Sequence, residues 1–486
     1  MTIGRRTFLS GAATGVGLLV LAGCTPPRPT PTRSVTKAPV PTVSTTAVPT
    51  PAAFVRSAWG TDPYSLGSVS YLPVGATPEH RDDLAQNVLD RLFFAGEATD
   101  TEAPATLQGA WNSGVRAAGE IAAIAADGER IAIIGAGLAG AIAARRLLDA
   151  GYDVTLVEAR DRVGGRIATS TPDGWPIAVD TGAWALTEAG PALRESVLDA
   201  GISLSAIDLA TVRSVAADGG DLDVQTTGPE ALTRALEWGA EQQEDLPLTE
   251  AFAGSGAPDP ASAEPGGGDG DAERVAAYLA GSAALRTGAA TAELSAWYGL
   301  GDASAATTAE DLSDASDSSL TDGLAPLVET LLEDVEVSLR AVVSGIGYDE
   351  DGASVRLATG ESFTADRVLI TVPIGVLQTD AIAFDPALPF AHRAAIAALG
   401  SGVVDSLWLR FDEPFWDVEA VTASRWSLVG SEAGITEWVN LQPVTGEAVL
   451  VGVFGADQAL SLQALSDDEL LTVAQTALEP FAAVSG

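Results

Sequence analysis

Residues 131–158 read IAIIGAGLAGAIAARRLLDAGYDVTLVE, and this stretch decides the fold. Ile131 to Ile134 form a candidate buried strand, Gly135-Ala136-Gly137-Leu138-Ala139-Gly140 a turn, and an alanine-rich helical run ends at Gly151 before a second strand, Val154 to Val157. That succession makes a βαβ unit with two parallel strands. The glycines have distinct tasks. Gly135 permits the tight turn, Gly137 lets a pyrophosphate approach backbone N–H groups at a helix N-terminus, and Gly140 allows the helix to pack closely on the strand. Glu158 ends the second strand 18 residues after Gly140, where a carboxylate accepts hydrogen bonds from an adenosine ribose. The unit therefore predicts a dinucleotide site.

The next residues choose the dinucleotide. Glu158-Ala159-Arg160-Asp161-Arg162-Val163-Gly164-Gly165-Arg166 resembles the second flavin-site motif of the flavin-containing amine oxidase family, and the likeness implies FAD. Arg160, Gly165 and Arg166 would bring cations and bare backbone to the diphosphate and flavin. Two upstream segments extend the resemblance. Residues 91–118, RLFFAGEATDTEAPATLQGAWNSGVRAA, look like the family's C-terminal flavin segment, which implies that Glu97, after Gly96, bonds the ribityl chain. The following helix N-terminus, near Thr106 and Leu107, would then face the N1/O2 edge of the isoalloxazine, where its macrodipole favours the anionic reduced flavin. Residues 56–71, RSAWGTDPYSLGSVSY, resemble the block at the flavin–substrate boundary. They imply Tyr71 as an aromatic face that orients an amine, with Thr106 at the opposite wall, so that any aromatic cage is incomplete.

In the family these two blocks close the chain, whereas here they precede the glycine turn. Residues 440–446, NLQPVTG, and the helix up to Phe481 resemble the stretch that normally precedes them. A circular permutation is expected, joined through a linker near Ala126-Asp127-Gly128. Such a change is tolerated when the old termini are neighbours. The implied fold class is a two-domain α/β FAD-binding flavoprotein, Rossmann-like and of the GR2 type, with a mixed α+β substrate domain. Residues 53–190 and 322–374 would form the FAD domain, and 191–321 and 375–486 the substrate domain.

The resemblance assigns further roles. Val343, within Leu324 to Ile346, would clamp the adenine through its backbone. Residues 371–377, TVPIGVL, would return the chain to the substrate domain, and Asp180-Thr181-Gly182-Ala183 would touch the flavin. Ser406 stands where family members have a lysine that holds a water against flavin N5. Lys37 is the only lysine of the chain, so no other ammonium replaces it. A serine can hydrogen-bond a water but brings no positive charge. The two histidines, His80 and His392, fall in stretches that read as polar connections or exposed helix starts. Asp349-Glu350-Asp351-Gly352 signals a hairpin, and residues 253–271, rich in Gly, Pro, Ala and acids, read as a mobile surface loop.

The remaining composition bounds the partners. With 66 acidic and 26 basic residues the chain carries −40, a field that repels phosphate backbones and argues against nucleic acid. There is no clustered Cys/His metal set, no GxSxG elbow and no P-loop. Residues 4–9, GRRTFL, form a twin-arginine signature ahead of an apolar run, Gly11 to Gly23, too short to span a bilayer. The run ends in Leu21-Ala22-Gly23-Cys24, which resembles a lipobox. Cys24 is the only cysteine, so its place argues for an acyl anchor on the outer face of a bacterial cytoplasmic membrane, and FAD should be noncovalent. Residues 1–24 are then a signal. Residues 25–52, with eight prolines and eight threonines, are a tether of up to roughly 85 Å.

The expected activity is oxidation of an amine or amino acid to an imine by hydride transfer to flavin N5, with oxygen as acceptor. The alternatives are a flavin dehydrogenase or desaturase using another acceptor, and a noncatalytic FAD-binding lipoprotein.

Overall fold

The computed structural model describes residues 36–41, 47–186, 189–209, 211–264, 270–300, 316–318, 322–417, 423–430 and 434–482. The signal, with Cys24, lies outside them. Two sheets organise the rest. The first has five parallel strands in the spatial order Glu336–Ser338, Asp153–Val157, Arg130–Ile134, Arg367–Ile370 and Leu92–Phe94. Its central strands are buried on both faces, as an almost unbroken apolar run requires. Helix Leu138–Asp149 covers one face. Helix Leu107–Ile124 packs on it so closely that a Cβ at Gly114 would stand 2.4 Å from the Ala139 carbonyl oxygen. The four-stranded sheet of Ser362–Ala365, Ala353–Leu357, Val343–Tyr348 and Ala383–Asp385 belongs to the core of the other face. The hairpin forms at the expected turn, where Asp349 N–H donates to the Gly352 carbonyl at 3.0 Å.

The second sheet has seven strands, ordered Ala53–Arg56, Val404–Arg410, Val449–Gly455, Glu437–Asn440, Arg425–Val429, Val212–Ala216 and Asp221–Leu222. Helices Ala456–Gln463 and Asp467–Leu478 cover one face with Trp426, Trp438 and Phe481. A layer from helices Thr227–Ala240, Leu248–Ser255 and Asp271–Ala280 buries Phe252 and Tyr278. Helix formation at Asp467–Leu478 is fixed by Ser466 and Glu469, which cap each other's backbone N–H groups.

Four expectations change. Strand Ala53–Arg56 pairs antiparallel with Val404–Arg410, so it belongs to the second sheet although its sequence neighbours serve the first. Strand Ala383–Asp385 pairs with Val343–Tyr348, and Leu388, Ala395 and Leu399 join that core. The first lobe therefore continues past residue 374 to about Leu399. The stretch read as a mobile loop opens as the end of helix Leu248–Ser255 and includes a 3-10 turn, Pro260–Ser262. Finally, the tether is docked at Lys37, Ala38 and Val48. Ala38 and Val48 are buried in the core beneath the last helices, and Lys37 Nζ lies 2.6 Å from Glu469. One alanine and one valine sufficed to seat in an apolar groove that composition cannot reveal.

Candidate active site

The C-terminal ends of the first sheet's strands meet the second sheet at a cavity of about 370 Å³. Its wall brings together twelve residues singled out from the sequence. Gly135, Gly137, Glu158, Arg160, Gly165, Arg166 and Val343 come from the βαβ unit and its neighbours, Gly96, Glu97, Thr106 and Leu107 from the upstream segment, and Ser406 from the second sheet. Residues as far apart in the chain as Gly96 and Ser406 thus line one space.

The glycine turn is shaped as its spacing predicts. Gly135 has φ +106°, a region that favours glycine, and Thr371 Oγ1 ties it down by donating toward the Ile134 and Gly135 carbonyls at 2.9 and 3.0 Å. Gly137 is the N-cap of helix Leu138–Asp149 and meets nothing nearer than 3.9 Å where a Cβ would stand. Its face is left free for a ligand at the positive helix end. Gly140 stands apart from that wall. A Cβ there would stand 2.0 Å from the Gly135 carbonyl oxygen, so its task is packing behind the turn.

Glu158 is buried, and its carboxylate accepts from Ala136 N–H at 2.9 Å and Arg160 N–H at 2.8 Å. Its anion thus sits at the strand end beside the turn. The Arg160 guanidinium grips Asp62 with two bonds of 2.7 Å and Ser65 Oγ with one of 2.8 Å, and lies near the Trp59 and Tyr64 rings. Burial works to raise the Asp62 pKa, but the hydrogen bond and charge of Arg160 outweigh it and hold the carboxyl below its ordinary value. Asp62 and Ser65 were not legible as site residues. Their only signal was membership of the RSAWGTDPYS block.

Glu97 is buried, with its carboxylate bonded by Arg166 at 2.9 Å, Ser70 Oγ at 2.6 Å and Ala105 N–H at 2.9 Å. Thr106 caps the next helix, its Oγ1 accepting from Gly109 N–H at 3.0 Å. Ala105, Thr106 and Leu107, at the N-terminus of that helix, line the cavity. Thr181, Gly182, Ala183 and Trp184 line it too.

Ser406 is buried, and its hydroxyl has no hydrogen-bond partner within the described protein. A sealed, unsatisfied hydroxyl on a cavity wall calls for a polar atom from a ligand or a water. The neighbouring Asp405 was missed, although a charged residue inside the strand VDSLWLR was a readable anomaly. Its carboxylate accepts from Trp59 N–H at 2.9 Å, Ser57 Oγ at 2.7 Å and Gln463 Nε2. Those bonds tie the boundary block to the second sheet.

Two expectations fail. Tyr71 is absent from the cavity wall. Its ring covers Gly400, where a Cβ would be 2.3 Å from Tyr71 Cε1, and its side chain packs against the helical layer. Cross-strand pairing with Gly400 decides this placement. His392 is buried rather than exposed. Its Nε2 lies 2.9 Å from the Gln86 carbonyl and its ring 5.0 Å from that of Phe94. The polar helix start was misleading because helix Glu79–Ala85 covers it. Lys37 pairs with Glu469, away from this cavity.

The residues fit a flavin dinucleotide on structural grounds: a bare Gly137 face at a helix N-terminus, a carboxylate at the strand end, and an orphaned hydroxyl on the opposite sheet. The sequence model of the family described as flavin containing amine oxidoreductase matches residues 33–122 and 138–484. Polyamine oxidase 4 of Oryza sativa subsp. japonica is 28% identical over 377 residues, 72% of this chain and 72% of that protein. Probable polyamine oxidase 4 of Arabidopsis thaliana is 29% identical over 366 residues, 70% of this chain and 68% of that protein. A solved putrescine oxidase, wild type bound to putrescine, has a similar fold, with a TM-score of 0.57 at 21% identity over 73% of this chain and 82% of that one.

Proposed function

Because the chain belongs to the flavin containing amine oxidoreductase family, with FAD as its implied cofactor, we propose that it oxidises an amine or amino acid to an imine, with oxygen as the acceptor. The observation that carries this reading is the convergence of Glu97, Glu158 and Ser406 on one cavity. The likeness to polyamine oxidases favours amines.

Bound noncovalently, FAD would supply the two-electron hydride acceptor. The chain's own residues prepare the substrate. Trp184, Leu285, Val404 and Val453 give the cavity an apolar wall, which disfavours a charged ammonium and so promotes the neutral amine that can release a hydride. The N-terminus of helix Leu107–Ile124 places partial positive charge at the wall. Ser406 Oγ can donate to or accept from a water or the substrate nitrogen.

Anaerobic addition of amines and amino acids to the purified holoenzyme should bleach its flavin absorbance with at least one of them. Bleaching by none would sink the proposal. The serine at position 406 favours a second reading, electron transfer to a quinone or partner protein instead of oxygen. Ser406→Lys should then raise the rate of reoxidation by oxygen roughly tenfold or more, since one preorganised charge is worth that much at a developing anion. An unchanged rate would count against a role for the missing ammonium.

The order of segments is proposed to be circularly permuted. Strand Leu92–Phe94 edges the parallel sheet, and buried Arg367 bonds the Ile124 carbonyl at 3.3 Å and Glu129 at 2.7 Å across the short connection. At the other junction, Val48 and Phe481 share one core. Transferring residues 37–124 as one block behind residue 482 through a linker, with the remaining tether joined to residue 125, should yield a soluble protein with wild-type FAD content. Loss of folding would argue against it.

Export through the twin-arginine route and acylation of Cys24 complete the proposal. Among the described residues no helix is long and apolar enough to cross a membrane. If the tether ends at Lys37, its reach from Cys24 is about 40 Å rather than 85 Å.

A further inference from the structure

Arg81 has no part in the site described so far, yet it is only 3% exposed, on the short helix Glu79–Ala85. A guanidinium so deeply sealed is costly unless it is compensated. Its Nη1 donates to Ser70 Oγ at 2.7 Å and to the Ala98 carbonyl at 3.1 Å. Ser70 Oγ in turn donates to Glu97 Oε2 at 2.6 Å. The cation thus reaches a carboxylate on the cavity wall through one hydroxyl.

The charged groups around Glu97 are few. Arg166 holds its Oε1 at 2.9 Å, and Arg81 acts from behind. Asp100, beyond the 3-10 turn Glu97–Thr99, accepts from the Glu102 and Ala103 N–H groups. Arg116, on helix Leu107–Ile124, donates to the Phe94 carbonyl and Thr99 Oγ1.

We propose that Arg81 is a positioning residue of the flavin site: relayed by Ser70, it keeps the Glu97 carboxylate fixed and ionised as an acceptor toward bound FAD. The inference rests on the FAD reading above. Burial pushes the Glu97 carboxyl up, and Arg166 and Arg81 together outweigh it and hold it below its ordinary value. Without Arg81 the balance moves toward the protonated acid, which presents one acceptor fewer and binds FAD less well as pH falls.

The test compares FAD dissociation constants from diluted holoenzyme, read by released flavin fluorescence at pH 8 and pH 5. The ratio of Arg81→Met to wild type should worsen about tenfold between those pH values, the size of one unit of differential protonation. Arg81→Lys, which keeps the charge, should restore most of the loss, and Ser70→Ala should reproduce part of it. A ratio for Arg81→Met that is the same at both pH values would overturn the inference, because a merely structural role weakens FAD equally at each. Should Arg81→Met fail to fold, a pH-independent ratio for Ser70→Ala overturns it instead. Failure of the wild-type protein to hold FAD would sink the cofactor reading, a different result.

Discussion

Gly137→Val should produce a folded but colourless protein. Its backbone, at φ −78°, suits a β-branched residue, and no atom lies within 3.9 Å of the added Cβ. The new methyl groups would stand over the N–H groups at the start of helix Leu138–Asp149, where the proposed site receives the diphosphate. The melting temperature of the FAD-free protein should stay close to that of FAD-free wild type. FAD affinity should fall at least about 100-fold, equivalent to about 2.8 kcal/mol. Gly140→Val is the control with the opposite outcome. Its Cβ would be 2.0 Å from the Gly135 carbonyl oxygen, so the turn itself must move, at a cost of about 1–3 kcal/mol of stability. Wild-type flavin content in Gly137→Val would contradict the placement of the cofactor.

Asp180→Asn should stabilise the protein at neutral pH. The carboxyl is buried, and burial raises its pKa to about 6, against the opposing pull of the Thr169 hydroxyl and the Leu324 N–H. The ordinary value is 3.8. Between these values the folded state binds the extra proton, so stability falls as pH rises from about 4 to about 6 and stays lower above that. The displacement corresponds to about 3 kcal/mol. Asparagine carries no charge to bury, so the variant should melt higher than wild type at pH 7.5 and show a flatter profile across the window. Thermal melts from pH 4 to 7.5 measure this. A variant that matches wild type at pH 4 yet melts below it at pH 7.5 would show that the ionised Asp180 is favourable, contrary to its burial.

The strand–turn–helix–strand unit was readable almost to the residue. Strands Arg130–Ile134 and Asp153–Val157 each begin one residue before the expected start, because a strand's first residue is set by its neighbour's hydrogen bonds and not by hydropathy. Local turn chemistry also gave the hairpin at Asp349. Other site residues were hidden for a different reason. Asp62 meets Arg160 across 98 residues and Arg81 meets Glu97 through Ser70, and no periodicity records such partners. Arg81 sits in EHRDD, a run indistinguishable from a solvated helix start. Tyr71 and His392 were misplaced by the same limit, since one is turned by its strand partner and the other is covered by a helix from elsewhere in the chain.

By itself, the sequence determined the glycine turn and the parallel βαβ unit around it. Spacing along the chain fixes which backbone groups point together over one or two turns. Only the tertiary structure decided that Tyr71 turns onto Gly400, that the Ser406 hydroxyl has no partner among the described residues, and that a strand beginning at Ala53 belongs to the second sheet. Those outcomes depend on which distant surfaces exclude water from each other, and that is settled when the whole chain closes.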